Sequence, residues 1–205
     1  MNCKNAAILF IIFLIFSFIV LFIPYITQVD IACIKYVQEI LSGVNSQIPI
    51  SAGGTVFYIM LCFPLAIGNL YFLLHKMYRN IFLFSAVPFV AYFINSIIKT
   101  IVQRPRPPIE LQFEEHMSSS SYVSRHTFVT ACLFGVFVYF VCQYCKNKFL
   151  KYILIGLSFI WVLFEGFSRV WMGVHNPTDV IGALILACVF LIFYIRLIQK
   201  LSSNN

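Results

Sequence analysis

The sequence predicts an all-α, polytopic membrane protein, a bundle of six transmembrane helices. Hydrophobic residues make up 61% of the 205 residues and charged residues only 10%, against about 25% charged in an ordinary soluble domain. Mean hydropathy is +0.91. Apolar runs long enough to cross a hydrocarbon layer of about 30 Å recur along the chain, separated by short polar or basic turns. A single integral membrane domain over residues 1–205 is expected.

The first span is Ala6–Ile23, interrupted only by Ser17 and ended at Pro24. It is longer than the apolar part of a usual signal peptide, and no small-residue cleavage motif follows it, so it is read as retained. In the more polar Tyr25–Thr55 stretch, Ile31, Ile34, Val37 and Leu41 recur at helical spacing with Asp30, Lys35 and Glu39 between them. Two readings fit: an amphipathic helix on the membrane surface, or a loop helix packed on the spans. Ser51-Ala52-Gly53-Gly54 is expected to break the chain before Val56–Leu74, the second span. The third span is Ile81–Ile98, with Pro88 as an expected kink. Lys99–Thr127 is polar, and its Ser118–Ser121 run reads as a flexible loop tip. The fourth span is Phe128–Val141, starting near Ser124 if the helix begins early. Tyr152–Phe167 is the fifth and Asp179–Leu197 the sixth.

The formal charge is +7. In a soluble protein that would raise the question of nucleic acid; here the basic residues sort by membrane side instead, and no nucleic-acid partner is expected. Lys4, Lys76, Arg79, Lys146, Lys148, Lys151, Arg196 and Lys200 fall in the tails and in the turns on the side of the termini, and no acid joins them. The positive-inside rule puts both termini in the cytoplasm and the loops after the third and fifth spans outside. His75 belongs to one of the basic inner turns. The cysteines show no disulfide framework, and Cys142-Gln143-Tyr144-Cys145 has neither a second pair nor a redox context.

Topology does not explain the basic residues of the two outer loops. Lys99, Arg104 and Arg106 leave the third span, Ser124, Arg125 and His126 enter the fourth, and Ser168, Arg169, His175 and Asp179 lie between the fifth and sixth. Ionisable groups at a membrane boundary are costly and point to function. The set suits an oxyanion such as phosphate: cations for its charge, a hydroxyl donor, and helix N-termini directed at it. A neutral imidazole can attack phosphorus if a carboxylate fixes its tautomer, and Asp179 follows His175 by four residues. Asn176 fits a helix N-cap and Pro177 the first helical position, which puts Asp179 in the first turn. A second histidine, His126, could protonate the leaving oxygen and then activate water. No carboxylate cluster suggests a metal, so no cofactor is expected. Glu114, Glu115 and His116 read as a solvated loop, Glu165 as a partner for Arg169, and Ser168 as either structural or a weak phosphate donor.

These three segments, at 99–107, 123–126 and 168–179, resemble the three-part signature of the type 2 phosphatidic acid phosphatase superfamily, K-x6-R-P, P-S-G-H and S-R-x5-H-x3-D. Lys99, Arg106 and Pro107 meet the first part, and Ser168, Arg169, His175 and Asp179 meet the third. The second is met by Ser124 and His126, while Val123 replaces the proline and Arg125 the glycine. The resemblance implies His175 as nucleophile, Asp179 as its orienter and His126 as general acid and base. It implies Lys99, Arg106, Arg169 and Ser124 as phosphate ligands. Arg125, where the chain departs from the signature, is expected to add a cation for a second phosphate or an acidic head group. Arg104, at the wrong spacing from Lys99, is expected behind the site or against a head group. The function implied is metal-independent hydrolysis of a phosphomonoester or pyrophosphate on a membrane lipid, at the outer face of a bacterial plasma membrane. The candidate lipids are undecaprenyl diphosphate, phosphatidylglycerol phosphate, phosphatidic acid and a lipid A phosphate. A phosphotransferase using the same intermediate, or a non-enzymatic lipid-phosphate binder or transporter, are the alternatives.

Overall fold

The structure is a computed structural model describing residues 3–113 and 120–203. Eight α-helices occur among them: α1 (Cys3–Phe22), α2 (Pro24–Ile40), α3 (Gln47–Gly53), α4 (Thr55–Leu74), α5 (Tyr78–Val102), α6 (Arg125–Tyr144), α7 (Lys148–Trp171) and α8 (Pro177–Ser203). Of these, α1, α4, α5, α6, α7 and α8 are long and apolar enough to cross a membrane, matching the six expected spans. Most run several residues past the apolar stretches, because intrahelical hydrogen bonding continues through polar residues once a helix is established. Pro64 and Pro88 both sit inside helices that continue through them; in a bundle, neighbouring groups re-satisfy the backbone that proline frees.

Helix α6 is the central element. Its Thr127–Phe134 segment is buried throughout, and it packs against α5, α7 and α8, while α1 packs on α8 and α4 on α5. In a bilayer the tails are as apolar as leucine, so close packing rather than escape from water holds such helices together. Aromatic side chains supply much of that packing. The ring centroids of Phe72 and Phe140 are 4.8 Å apart, and those of Phe84 and Phe140 are 5.6 Å apart. Other apolar side chains, such as Ile8, Ile11, Ile15 and Phe18 of α1, remain exposed, as expected of a helix facing lipid.

Helix α2 realises the second of the two readings for its stretch. Ile34 and Asp30 are buried while Lys35 and Glu39 are exposed, and the helix packs on α1, α7 and α8. Gln38 clasps two other segments, donating from Nε2 to Leu111 O at 2.7 Å and to Trp171 O at 2.9 Å. The expected chain break at Ser51–Gly54 is displaced: Ser51, Ala52 and Gly53 are the last residues of α3, and only Gly54 separates it from α4. Gly54 closes α3 as it ends, its N–H donating to Ile50 O at 3.1 Å and to Ser51 O at 3.2 Å.

Of the expected loop tip, Ser118 and Ser119 lie outside the described residues, as do Glu114, Glu115 and His116. Ser121 is fully buried. Its N–H donates to Arg104 O at 2.9 Å and its hydroxyl to Pro105 O at 2.9 Å, so this end of the serine run is a fixed part of the framework. Tyr122, next in the chain, is buried, with its hydroxyl 2.6 Å from Ser17 Oγ of α1. Burial pushes that phenol up to about 12. Lys76, Arg79, Lys146, Lys148 and Lys151 lie in or beside the α4–α5 and α6–α7 turns, at the end of the bundle where Arg79 meets the Leu201 carbonyl. The α5–α6 connection and the α7–α8 turn form the other end. There Phe113 N–H donates to Met172 O at 3.0 Å.

The α7–α8 turn depends on Gly173, whose φ is +69°. A Cβ there would come within 2.0 Å of Leu111 O. A Gly173→Ala variant therefore meets both left-handed strain and a backbone collision. We expect it to lose at least about 1–3 kcal/mol of stability, measured by thermal unfolding in detergent.

Candidate active site

The sequence of the α7–α8 connection dictates its own geometry. Pro177 starts α8, and Asp179, two residues on, folds its carboxylate back over the helix start. Asp179 Oδ2 accepts from Asn176 N–H at 2.9 Å and from Asn176 Nδ2 at 3.3 Å. This is the return arm of a capping box, and it satisfies a donor that the helix leaves unpaired. The same oxygen lies 3.5 Å from His175 Nδ1, at the outer limit of hydrogen bonding. His175 is 2% exposed. Burial brings its pKa down to about 3; Asp179 opposes the shift and Arg106 adds to it. The imidazole is therefore neutral at physiological pH. With its proton on Nδ1, facing Asp179, it carries a lone pair on Nε2.

Asp179 is in turn held from behind. Its Oδ1 accepts from Arg104 Nη1 at 2.5 Å, and Arg104 Nη2 donates to Asp30 Oδ2 of α2 at 2.8 Å. All three side chains are buried. Burial alone would lower the Arg104 pKa, but Asp179 and Asp30 outweigh it and raise the value. Asp30 also caps α8 from outside that helix: Thr178 N–H donates to its Oδ1 at 3.1 Å and Thr178 Oγ1 to its Oδ2 at 2.6 Å. The expectation for Arg104 resolves in favour of a place behind the site. It contacts the Asp179 carboxylate, with its guanidinium directed into the protein.

In front of Asp179, residues of all three motif segments line one cavity: Lys99, Arg106, Arg125, His126, Arg169 and His175, with Val174. It is small, about 50 Å³, a space on the scale of a phosphoryl group and far below that of a lipid. Lys99 is buried near the end of α5 and donates from Nζ to Ser120 O. Arg106 donates from Nη1 to Val174 O at 2.6 Å. Burial lowers its pKa to about 10, with Asp179 pulling up and Arg125 pushing further down, so it stays charged at neutral pH. Arg169 is held by Ser168 Oγ at 3.2 Å, Pro49 O at 3.2 Å and Glu165 Oε1 at 3.4 Å. His126 packs against Phe57, ring centroids 4.3 Å apart.

Of the expected site residues, Asp179 and Ser124 are not on the cavity wall. Asp179 backs His175 as described. Ser124 is buried at the start of α6, its N–H donating to Asp179 O at 3.2 Å and its Oγ accepting from Thr127 Oγ1 at 3.0 Å. Ser168 takes the structural of its two expected roles: its hydroxyl donates to Glu165 O at 2.8 Å and accepts from Arg169. Glu165 pairs with Arg169 as expected. His75 is exposed beside the α4–α5 turn, its ring stacked on Tyr71.

The sequence reading missed Asp30 and Gly53. Asp30 was visible only as a charge at a helical position, and nothing local ties it to Arg104 or Thr178. Gly53 belongs to the expected chain break at Ser51–Gly54. It lies against Arg169, and a Cβ there would sit 1.8 Å from Arg169 Nη1.

Two outcomes are expected from this geometry. Gly53→Ala forces the Arg169 guanidinium out of place and weakens binding of inorganic phosphate by at least about tenfold, measured by the concentration needed for thermal protection. The second concerns pH. His175 binds its proton less readily folded than unfolded, since its folded pKa lies below the ordinary 6.5. Its contribution to stability is whole above pH 6.5 and is lost as pH falls from there toward 3, by at most about 1.4 kcal/mol per pH unit. A His175→Gln variant loses that part of the slope in melting curves taken across this range.

Comparison with known proteins bears on the same residues. Phosphatidylglycerophosphatase B of Bacillus subtilis is 34% identical over 106 residues, covering 50% of this chain and 49% of that protein. Undecaprenyl-diphosphatase BcrC of the same organism is 28% identical over 106 residues, 50% of each. Lipid phosphate phosphatase delta of Arabidopsis thaliana is 25% identical over 119 residues, 53% of this chain and 29% of that protein. The match thus spans about half the length of the two bacterial relatives. A solved transmembrane PAP2-type phosphatidylglycerolphosphate phosphatase from Bacillus subtilis superposes with a TM-score of 0.75 at 22% identity, covering 95% of this chain and 96% of that one, which shows a shared fold. The PAP2 superfamily pattern matches residues 79–203, from the start of α5 through α8, and so takes in every segment that lines the cavity: the chain belongs to the PAP2 superfamily.

Proposed function

We propose that this protein is an integral membrane lipid phosphatase that hydrolyses a phosphomonoester or pyrophosphate through a phosphohistidine on His175. One observation carries the reading: two histidines share a small cavity with four cationic side chains, and a buried carboxylate backs one of them. His175 Nε2 attacks phosphorus while Asp179 steadies the Nδ1 proton and the positive charge that develops on the ring. His126 protonates the leaving oxygen, then takes a proton from the water that hydrolyses the intermediate. Lys99, Arg106 and Arg169 hold the phosphoryl oxygens, and Arg125 adds a fourth cation. These groups supply the electrostatic stabilisation of the transition state without a cofactor.

The substrate is a lipid because the cavity opens at one end of an apolar bundle and admits little more than a head group. The names of the two Bacillus relatives, one a phosphatidylglycerophosphatase and one an undecaprenyl-diphosphatase, support a bacterial envelope lipid. Undecaprenyl diphosphate, phosphatidylglycerol phosphate, phosphatidic acid and a lipid A phosphate are the candidates. The basic turns at the opposite end support cytoplasmic termini and a site on the outer face of the plasma membrane.

The test is phosphate release from these lipids by the purified protein in detergent with EDTA present. Activity should persist in EDTA and fall by at least about a thousandfold in His175→Ala. Enzyme quenched in alkaline SDS should carry base-stable, acid-labile phosphate from labelled substrate, and the variant should carry none. Undiminished hydrolysis by His175→Ala would remove His175 as nucleophile. Transfer of label to an acceptor other than water would instead mark a phosphotransferase.

A further inference from the structure

Arg125 stands where the resembling signature has glycine, and its surroundings differ from those of the other cavity cations. It is the first residue of α6, immediately before His126. Its side chain reaches along α5: Nε donates to Asn95 Oδ1 at 3.3 Å, Nη1 to Tyr92 OH at 3.3 Å, and the guanidinium carbon lies 4.4 Å from the Tyr92 ring centroid. Tyr92, Asn95 and Lys99 share one face of α5 at i, i+3 and i+7, so Arg125 meets that helix about 6–10 Å along its axis from the level of Lys99. Asn95 is itself fixed, donating from Nδ2 to Val123 O at 3.1 Å. No carboxylate among the described residues pairs with Arg125, and its Nη2 donates to none of them. The guanidinium is thus oriented by neutral partners, open to the cavity on one edge, and beside the histidine assigned to the leaving oxygen.

We propose that Arg125 binds the second phosphate of a diphosphate substrate, so that the preferred substrate is a lipid diphosphate rather than a lipid phosphomonoester. This rests on the phosphatase reading and specifies its substrate class. Lys99, Arg106 and Arg169 take the terminal phosphoryl group, and the phosphate still attached to the lipid lies on the His126 side, against Arg125. In the first step the bond from His175 Nε2 to the terminal phosphorus forms as the bond from that phosphorus to the bridging oxygen breaks. The bridging oxygen keeps the electron pair, receives the His126 proton and departs as part of the lipid monophosphate, with Arg125 offsetting its charge. Water then adds to the phosphohistidine, giving its proton to His126. The N–P bond breaks with its electrons returning to His175, and inorganic phosphate leaves. One water is consumed, and a lipid monophosphate and inorganic phosphate are formed. A phosphomonoester has no second phosphate at that position, so Arg125 serves it only as one more cation of the cavity and contributes less.

The experiment compares kcat/KM for geranylgeranyl diphosphate and for dioleoyl phosphatidic acid in the same detergent, using wild type, Arg125→Gln and Arg125→Lys. The wild type should prefer the diphosphate. Arg125→Gln should lower the diphosphate-to-monoester ratio by about tenfold or more, the size of a lost charge-assisted contact, and Arg125→Lys should keep most of it. A parallel fall on both substrates in a variant that melts like wild type would overturn the proposal. So would a wild-type preference for the monoester, the result expected if the lipid lies past Arg106 in the larger pocket lined in part by Val102–Pro108. Independently of any variant, inorganic pyrophosphate should protect the wild type from thermal unfolding at about a tenth of the inorganic phosphate concentration; equal protection would count against a second phosphate site. A wild type active on monoesters alone leaves the phosphatase reading intact and removes only this one, whereas activity on neither removes both.

Discussion

The site hangs on one buried cation. Arg104 lies between Asp179 and Asp30, two carboxylates from helices at opposite ends of the chain. Remove it and two acids face each other in a region with little water; losing one partner from a buried ion pair typically costs about 3–5 kcal/mol. Its more particular effect is geometric. One oxygen of Asp179 is taken by Arg104 and the other by Asn176, which leaves the carboxylate a single orientation, the one that faces His175 Nδ1. Asp30 extends this hold to Thr178 and so joins α2 to the first turn of α8. The start of α8 is therefore fixed by its own capping arm and by a carboxylate supplied from elsewhere.

The arrangement in front of that support follows from placing charges in an apolar bundle. Four cations can line a cavity there only if each is held by the framework, and backbone carbonyls do much of the holding: Ser120 for Lys99, Val174 for Arg106, Pro49 for Arg169. Each of these carbonyls lies in a connection or a short helix, the segments most readily read as filler. His175 is kept neutral by its burial, the state that the proposed nucleophilic role requires.

Much of this was legible in the sequence because it was encoded locally. Span lengths follow from apolar runs. The helix start at Pro177 follows from Asn176 and Pro177, and the relation of His175 to Asp179 from a four-residue spacing. Lys99, Arg106, His126, Arg169 and His175 could be grouped because each sits at a span mouth on one side. What escaped depends on contacts distant in the chain. Asp30 and Arg104 are separated by 74 residues, and on its helix Asp30 looks like any solvated acid; only the packing of α2 onto α8 buries it. The glycine at 53 gave a correct signal for a helix end and none for the guanidinium that fills the space beside it. Ser121 misled for the opposite reason. A serine run suggests mobility by composition, yet its last member is pinned by two carbonyls whose positions the sequence does not reveal.

The cavity places like charges near one another before any substrate arrives; Arg125 bears directly on the charge of Arg106. Without an anion, the folded protein carries that repulsion as a standing internal cost. An anion of any origin that enters relieves it and shifts the folding equilibrium toward the native state in proportion to its occupancy. Chloride, phosphate or lipid carried through purification is then part of the protein's stability, and a preparation stripped of anions is a different thermodynamic object from the one in the membrane.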